Sequence, residues 1–217
     1  MDWTLLIVQL LNGLQLGVLL FLLAAGLTLI FGIMDFINLA HGSLYMVGAY
    51  FCATFTEFMD SFLLGVLVAL PLTFLVGLVV EIVIARPLYG RDHLDHVLAT
   101  FGVILFFDAL VHLVWGPEGY AIPLPAFLDG QVELALGLVL PTYRVLIIAV
   151  GLFIALGLYM VVSWTRVGML IRAGASNRRM VAALGVNIDF LFTFVFAGGA
   201  VLAGVAGLLI APITEAN

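Results

Sequence analysis

The chain contains no lysine: all seven basic residues among its 217 are arginines. A phosphate-cradling loop of the Gly-x-x-x-x-Gly-Lys type needs a lysine on the phosphates. If ATP drives this protein, another chain binds it. The single cysteine, Cys52, excludes an intrachain disulfide and a thiolate-only metal site; it fits a small apolar filler within a helix. Charged residues make up 9% and hydrophobic ones 65%, against about 25% and 45–50% in a soluble domain, so the chain belongs in a membrane. No His-Glu-x-x-His helix or Gly-x-Ser-x-Gly elbow is present, and no third group orients His41 beside Ser43 for nucleophilic chemistry. A net charge of −6, with basic residues only in loops flanking the apolar runs, gives no footprint for nucleic acid. No cleavable signal peptide is expected, because Asp2 precedes the first apolar run without a basic n-region.

The apolar runs are long and lack the alternation of barrel strands, so they read as helices. A spanning helix needs about 20 apolar residues, and six stretches qualify, at about 5–31, 43–58, 61–85, 96–115, 143–163 and 188–211. The expected fold is all-α, a polytopic bundle of about six spans forming a single domain over residues 1–217. Gly13 and Gly17 make a small-xxx-small face on the first span, and Pro71 predicts a kink in the third.

Orientation follows from the arginines. Arg86 and Arg91 lie between spans three and four, and Arg166, Arg172, Arg178 and Arg179 between five and six. The positive-inside rule makes both loops cytoplasmic, so 164–187 is a cytoplasmic loop and 116–142 a periplasmic one. The opposite side carries Glu57, Asp60, Glu118, Asp129, Glu133 and Glu215, with Arg144 alone among them. Within the outer loop, the proline-rich 116–127 segment reads as semi-rigid, and Asp129-Gly130 suits a hairpin turn.

The stretch from Gly26 to Tyr50 combines high hydrophobicity with Asp35, Asn38, His41 and Ser43. Such residues are costly in lipid and mark pathways when they occur there. Gly32 and Gly42 bracket them, so we expect one helix to end near Gly32, a broken or re-entrant junction over about 32–42, and a new helix from Gly42. The alternative is an ordinary cytoplasmic loop with Asp35 and Asn38 as solvated helix caps. Elsewhere, His93 and His96 share a helix face with Asp92 and Asp95 nearby, yet a third metal ligand is missing. Asp108 and His112, four apart, suit mutual pairing on one face. Glu81 lies just before Arg86, facing protein or snorkelling to the interface.

In the second arginine loop, RAGASNRRMVAALGVN reads as a short helix with Ser176 as N-cap and Gly185 as the residue after its end. Met180, Val181 and Leu184 give it one narrow apolar edge, and Arg178 and Arg179 cover another face. Such a helix lies on lipid headgroups or docks into a groove of a soluble protein.

Phe31-Gly32-Ile33-Met34, Ile37-Asn38-Leu39-Ala40-His41-Gly42 and Gly48-Ala49-Tyr50 together resemble the signature of LivH-type permeases, membrane subunits of bacterial ABC importers for branched-chain amino acids. The resemblance implies a subunit of the inner membrane, with no cofactor of its own. It implies partnership with a second, LivM-like permease subunit, two cytoplasmic ATPase subunits and a periplasmic solute-binding protein. Asp35, Asn38, His41 and Gly42 then fall at the translocation junction. Ala173, Ala175 and Gly185 match a coupling helix that docks on the ATPase, where Arg178 and Arg179 face acidic groups or lipid phosphates. The family carries further helices beyond the point where this sequence stops, so the expectation is a chain shorter than its family. The alternative function is an ATP-independent channel or secondary carrier for a small polar solute such as urea or an amide.

Overall fold

The computed structural model describes residues 3–117, 124–125, 127–134 and 138–213. Seven α-helices follow one another: α1 (Trp3–Met34), α2 (His41–Met59), α3 (Phe62–Val80), α4 (His93–Trp115), α5 (Thr142–Trp164), α6 (Arg166–Ala183) and α7 (Ile188–Ile210). A π-helical turn, Glu81–Ala85, and a 3-10 turn, Arg86–Leu88, extend α3, and a short hairpin of β1 (Gln131–Leu134) and β2 (Leu138–Pro141) precedes α5. Among the described residues five helices are long and apolar enough to cross a membrane: α1, α3 with its extension, α4, α5 and α7. The protein is therefore a multi-pass helical membrane protein.

The sixth expected span, α2, is not among those five, and its position gives the reason. It packs chiefly on α3 and α7 and buries His41, Ser43, Leu44, Val47 to Tyr50, Cys52, Ala53 and Thr56. A helix surrounded by protein does not need the hydrophobicity that lipid demands, and small and polar residues suit its interfaces. The contacts are close. A Cβ on Gly48 would lie 2.5 Å from the Cα of Gly204, and one on Gly204 would lie 2.7 Å from the Thr73 methyl.

The helix ends are set by caps. Ser61 accepts from Leu64 N–H at 3.5 Å to start α3, and Asn187 accepts from Phe190 N–H at 3.0 Å to start α7. Helix α3 continues through Pro71. The outer loop gives a correction. A hairpin forms, but Gln131 to Leu134 pair with Pro141 to Leu138, so Asp129-Gly130 precedes β1 instead of turning the hairpin. Glu118, most of the proline-rich segment and Glu215 lie outside the described residues.

Two ends of the bundle are distinguishable. At one, the Asp35 turn meets the residues after α3 and the first turn of α4, and α6 adjoins it. At the other, Trp115 Nε1 donates to Thr54 at 2.7 Å, Tyr143 OH donates to the Leu209 carbonyl at 2.8 Å, and Arg144 donates to Asn12 at 2.5 Å. The four arginines of α6 thus share an end with Arg86 and Arg91, and Arg144 stands alone at the opposite one, as the sequence pattern implied.

Candidate functional site

The polar junction is a real break in the helices, shifted from its expected edges. Helix α1 runs through Gly32 to Met34, and α2 starts at His41. The stop is Asp35, whose φ of 52° lies in the left-handed region while its N–H bonds the Phe31 carbonyl at 2.9 Å. Asp tolerates that conformation better than most residues, so it takes the terminating place that glycine usually fills. Gly42 meets no crowding, since a Cβ there would find nothing within 4 Å.

The four junction residues sit differently. Asp35 is more than half exposed and pairs with His93 at 3.4 Å. Asn38 is 3% exposed, and neither its amide nitrogen nor its oxygen has a partner. His41, equally buried, places Nε2 3.1 Å from the Leu23 carbonyl. A carbonyl only accepts, so Nε2 carries the proton, and Nδ1 is left unpartnered. Gly26 creates that seat: a Cβ there would stand 2.9 Å from His41 Nε2 and 2.7 Å from the Gly199 carbonyl. Buried polar atoms without partners are uncommon in native proteins, and each needs an explanation. Beside them, a cavity of about 290 Å³ is lined by Leu27, Thr28, Phe31, Gly32 and Phe36 to Leu39.

The histidines of α4 divide. His96 is buried, with Nε2 2.9 Å from the Leu88 carbonyl and its ring 4.6 Å from that of Phe36, whereas His93 turns to Asp35. Asp108 and His112 do approach each other, at 3.9 Å, yet both are more than half exposed on α4. Among the described residues no neighbouring helix covers them.

Helix α6 holds the docking candidates. It breaks at Asn177 (φ −155°, ψ 90°), and Asn177 Oδ1 accepts from Met180 N–H at 3.0 Å. The second half thus starts one residue after the expected Ser176 cap. Its end is as expected: Gly185 has φ 85°, its N–H bonds the Ala182 carbonyl at 3.0 Å, and Val186 N–H reaches Val181 at 3.4 Å. That pair of bonds is a Schellman closure. Val181 is buried, while Met180 and Leu184 are 63% and 76% exposed. The apolar edge therefore splits, with one residue holding the helix and two facing out. Arg179 and Ala175 are exposed, and Ala173 and Arg178 are half-buried. A polar cavity of about 490 Å³ separates Ser176 to Arg179 from Phe31 to Asp35.

Of the two readings of Glu81, facing protein is the one realised, in a cluster whose other members, Tyr89 and Thr193, the sequence reading did not include. Glu81 is fully buried and its two oxygens accept three hydrogen bonds from Arg86 and Tyr89, and a fourth from Thr193, whose one hydroxyl hydrogen is shared with the Asp189 carbonyl. Arg86 donates Nε at 3.2 Å and Nη2 at 3.0 Å, Tyr89 OH donates at 2.7 Å, and Thr193 Oγ1 at 2.8 Å. Burial, followed by the Glu81 bond, pushes the Tyr89 phenol above its ordinary value, so it stays a donor. The sequence signal was a lone carboxylate in an apolar run five residues before an arginine. That five-residue reach needs the wider π turn, which spacing rules for α-helices do not anticipate.

A bundle of spanning helices, one internal polar helix break and an amphipathic helix exposed at the arginine-rich end define a membrane permease subunit. The chain belongs to the branched-chain amino acid transport system / permease component family, whose model matches residues 9–217. It is 34% identical over 214 residues to the high-affinity branched-chain amino acid transport system permease protein BraD of Pseudomonas aeruginosa, covering 93% of this chain and 69% of the relative. The corresponding LivH protein of Salmonella typhimurium is 31% identical over 215 residues, with the same coverage. A probable branched-chain amino acid transport permease protein LivH of Methanocaldococcus jannaschii is 29% identical over 208 residues, covering 88% and 62%. No solved structure matches the chain.

Proposed function

We propose that the chain is a membrane-spanning permease subunit of an ATP-driven importer in the bacterial inner membrane, with branched-chain amino acids as its solutes. A periplasmic binding protein delivers solute, two ATPase subunits supply the work, and a second permease subunit completes the pathway. The observation that carries this reading is the placement of α6. An outward-facing apolar pair, Met180 and Leu184, stands at the same end as the helix break at Asp35–Ala40. A channel needs no such docking element. In this reading α6 docks on the ATPase from the cytoplasmic side, with Ala173, Ala175, Arg178, Arg179 and Gly185 around the contact.

The exposed Asp108–His112 pair supports the second subunit. Ionisable residues within spans face protein or water, not lipid, and none of the described residues covers them.

A cysteine at Arg178 tests the docking. The natural Cys52 is fully buried, so the introduced thiol is the reactive one. Co-expressed with the importer's ATPase subunit, the variant is expected to give a specific cross-link to it. A folded, membrane-inserted chain that never cross-links would sink the importer reading and favour the channel.

Asp35, Asn38, His41 and Gly42 line or flank the translocation junction in this proposal. Asn38 gives a sharp expectation. Its unpaired amide costs about 1–3 kcal/mol of stability, a cost retained where function needs a polar group. Asn38→Leu is expected to raise thermal stability and to lower uptake severalfold, measured in membranes with equal permease content. Lower stability with unchanged uptake would remove Asn38 from the pathway.

A further inference from the structure

We propose that Glu81, Arg86, Tyr89 and Thr193 form the rigid link that carries movement of the α6–α7 corner to the Asp35–Ala40 turn, which makes them positioning residues for transport. The proposal rests on the importer reading above and adds residues that the reading does not use.

The link starts at the docking helix. Gly185 ends α6, Asn187 caps α7, and Thr193 lies in the second turn of α7, where it bonds the Asp189 carbonyl at 2.8 Å. Its hydroxyl contacts Glu81 at 2.8 Å and receives Arg86 Nη2 at 2.6 Å. The first turns of α7 are thereby tied to the end of α3. A flexible apolar contact can slip, but a buried carboxylate held by Arg86, by Tyr89 and by a Thr193 hydroxyl whose one hydrogen it shares with the Asp189 carbonyl is costly to pull away from its partners.

The second half of the link is aromatic. Tyr89 has its hydroxyl in the cluster and its ring between two others. The Phe192 ring is 5.2 Å away and the Phe36 ring 6.1 Å away, both edge to face. Phe36 belongs to the Asp35–Ala40 turn, is almost fully buried, and packs also on His96 and Phe196. A displaced α7 start therefore moves Tyr89 through its hydroxyl and its ring together. Tyr89 presses on the residue two places before Asn38. Close-packed interiors transmit such displacements instead of absorbing them.

The local backbone fits the role. Helix α3 opens into the π turn at Glu81 itself, and such turns are frequent at functional sites. The wider turn is what lets Arg86 return to a side chain five residues back. A fully buried carboxylate in an ion pair is also weak evidence for stability, since apolar residues often serve as well. Its presence calls for another reason, and coupling supplies one.

The test uses the complete importer in proteoliposomes: this chain with its partner permease, ATPase subunits and binding protein. The measurement is ATP hydrolysed per solute taken up. Glu81→Gln and Thr193→Val are both made, because Thr193→Val leaves the Glu81 bonds to Arg86 and Tyr89 intact and so keeps the fold. Each is expected to raise that ratio about tenfold while ATPase copurification stays at the wild-type level. An unchanged ratio in variants that assemble would overturn the proposal. So would failure of both variants to assemble, which would assign the cluster to folding alone. A wild-type assembly that shows no ATP-driven uptake would instead overturn the importer reading, and this proposal with it.

Discussion

Gly48→Val is expected to prevent the protein from accumulating in a folded form. The added Cβ would stand 2.5 Å from the Gly204 Cα and 2.9 Å from its carbonyl oxygen. Both are backbone atoms, so no rotamer change relieves the clash and α2 must move away from α7. Overpacking a well-filled interior costs about 1–3 kcal/mol and occasionally more. Here the upper end applies, because the α2–α7 seam is long and α7 is buried over most of its length. Size-exclusion profiles of detergent-solubilised protein check this, with loss of the monodisperse peak as the expected result. Gly13→Ala is the matched control. A Cβ there meets nothing within 4 Å, and alanine favours a helix by about 1 kcal/mol over glycine. If Gly48→Val ran as a normal peak, the close α2–α7 approach would be wrong.

Leu184→Asp is expected to separate the permease from its ATPase while leaving the permease folded. Leu184 is 76% exposed, so the bundle loses little. Burying such a side chain in a partner's groove is worth about 1.5–3 kcal/mol. Replacing it with a carboxylate forfeits that and adds the cost of burying a charge. At about 1.4 kcal/mol per tenfold, ATPase association should weaken by at least about tenfold in a pull-down titration. Met180→Asp, on the same outward edge, should behave alike. Val181→Asp should not: Val181 is 6% exposed, and its replacement is expected to detach α6 from the bundle. Unaltered association in both exposed-residue variants would move the docking surface elsewhere.

The spans were legible because lipid imposes one requirement, length and hydrophobicity, on every helix it touches. Helix α2 was legible for a different reason. Its polar residues, Asn38 and His41 just before and at its start, stood out against the surrounding apolar sequence. Its apolar run at 43–58 was read as a sixth span, whereas its neighbours in the bundle relieve it of the hydrophobicity lipid demands. The arginine pattern also read correctly as an arrangement, since Arg86, Arg91 and the α6 arginines share one end. Helix edges were less legible. Gly32 was the expected stop and Asp35 the actual one, because an Asp in the left-handed region competes well with glycine. In the same way Asn177, not Ser176, starts the second half of α6, and both residue types favour that place. Asp129-Gly130 carried the stronger local turn signal yet lies before β1, because pairing between β1 and β2 chose the register. The Glu81 cluster was the least legible. It joins residues separated by the whole middle of the chain, through a π turn that no α-helical spacing encodes.

The central place of α2 has a consequence for biosynthesis. A segment with His41, Ser43, Thr54, Thr56 and Glu57 has a weak claim on the membrane by itself. It gains its place from α3, made next, and from α7, the last described helix to leave the ribosome. Until α7 arrives, the small-residue face of α2 has no lasting partner. The nascent permease must then be held in the membrane half-built, with α2 still waiting for α7. Maturation of this protein is thus paced by the synthesis of α7, and a stall before Ile188 would leave quality control with a bundle that lacks its centre.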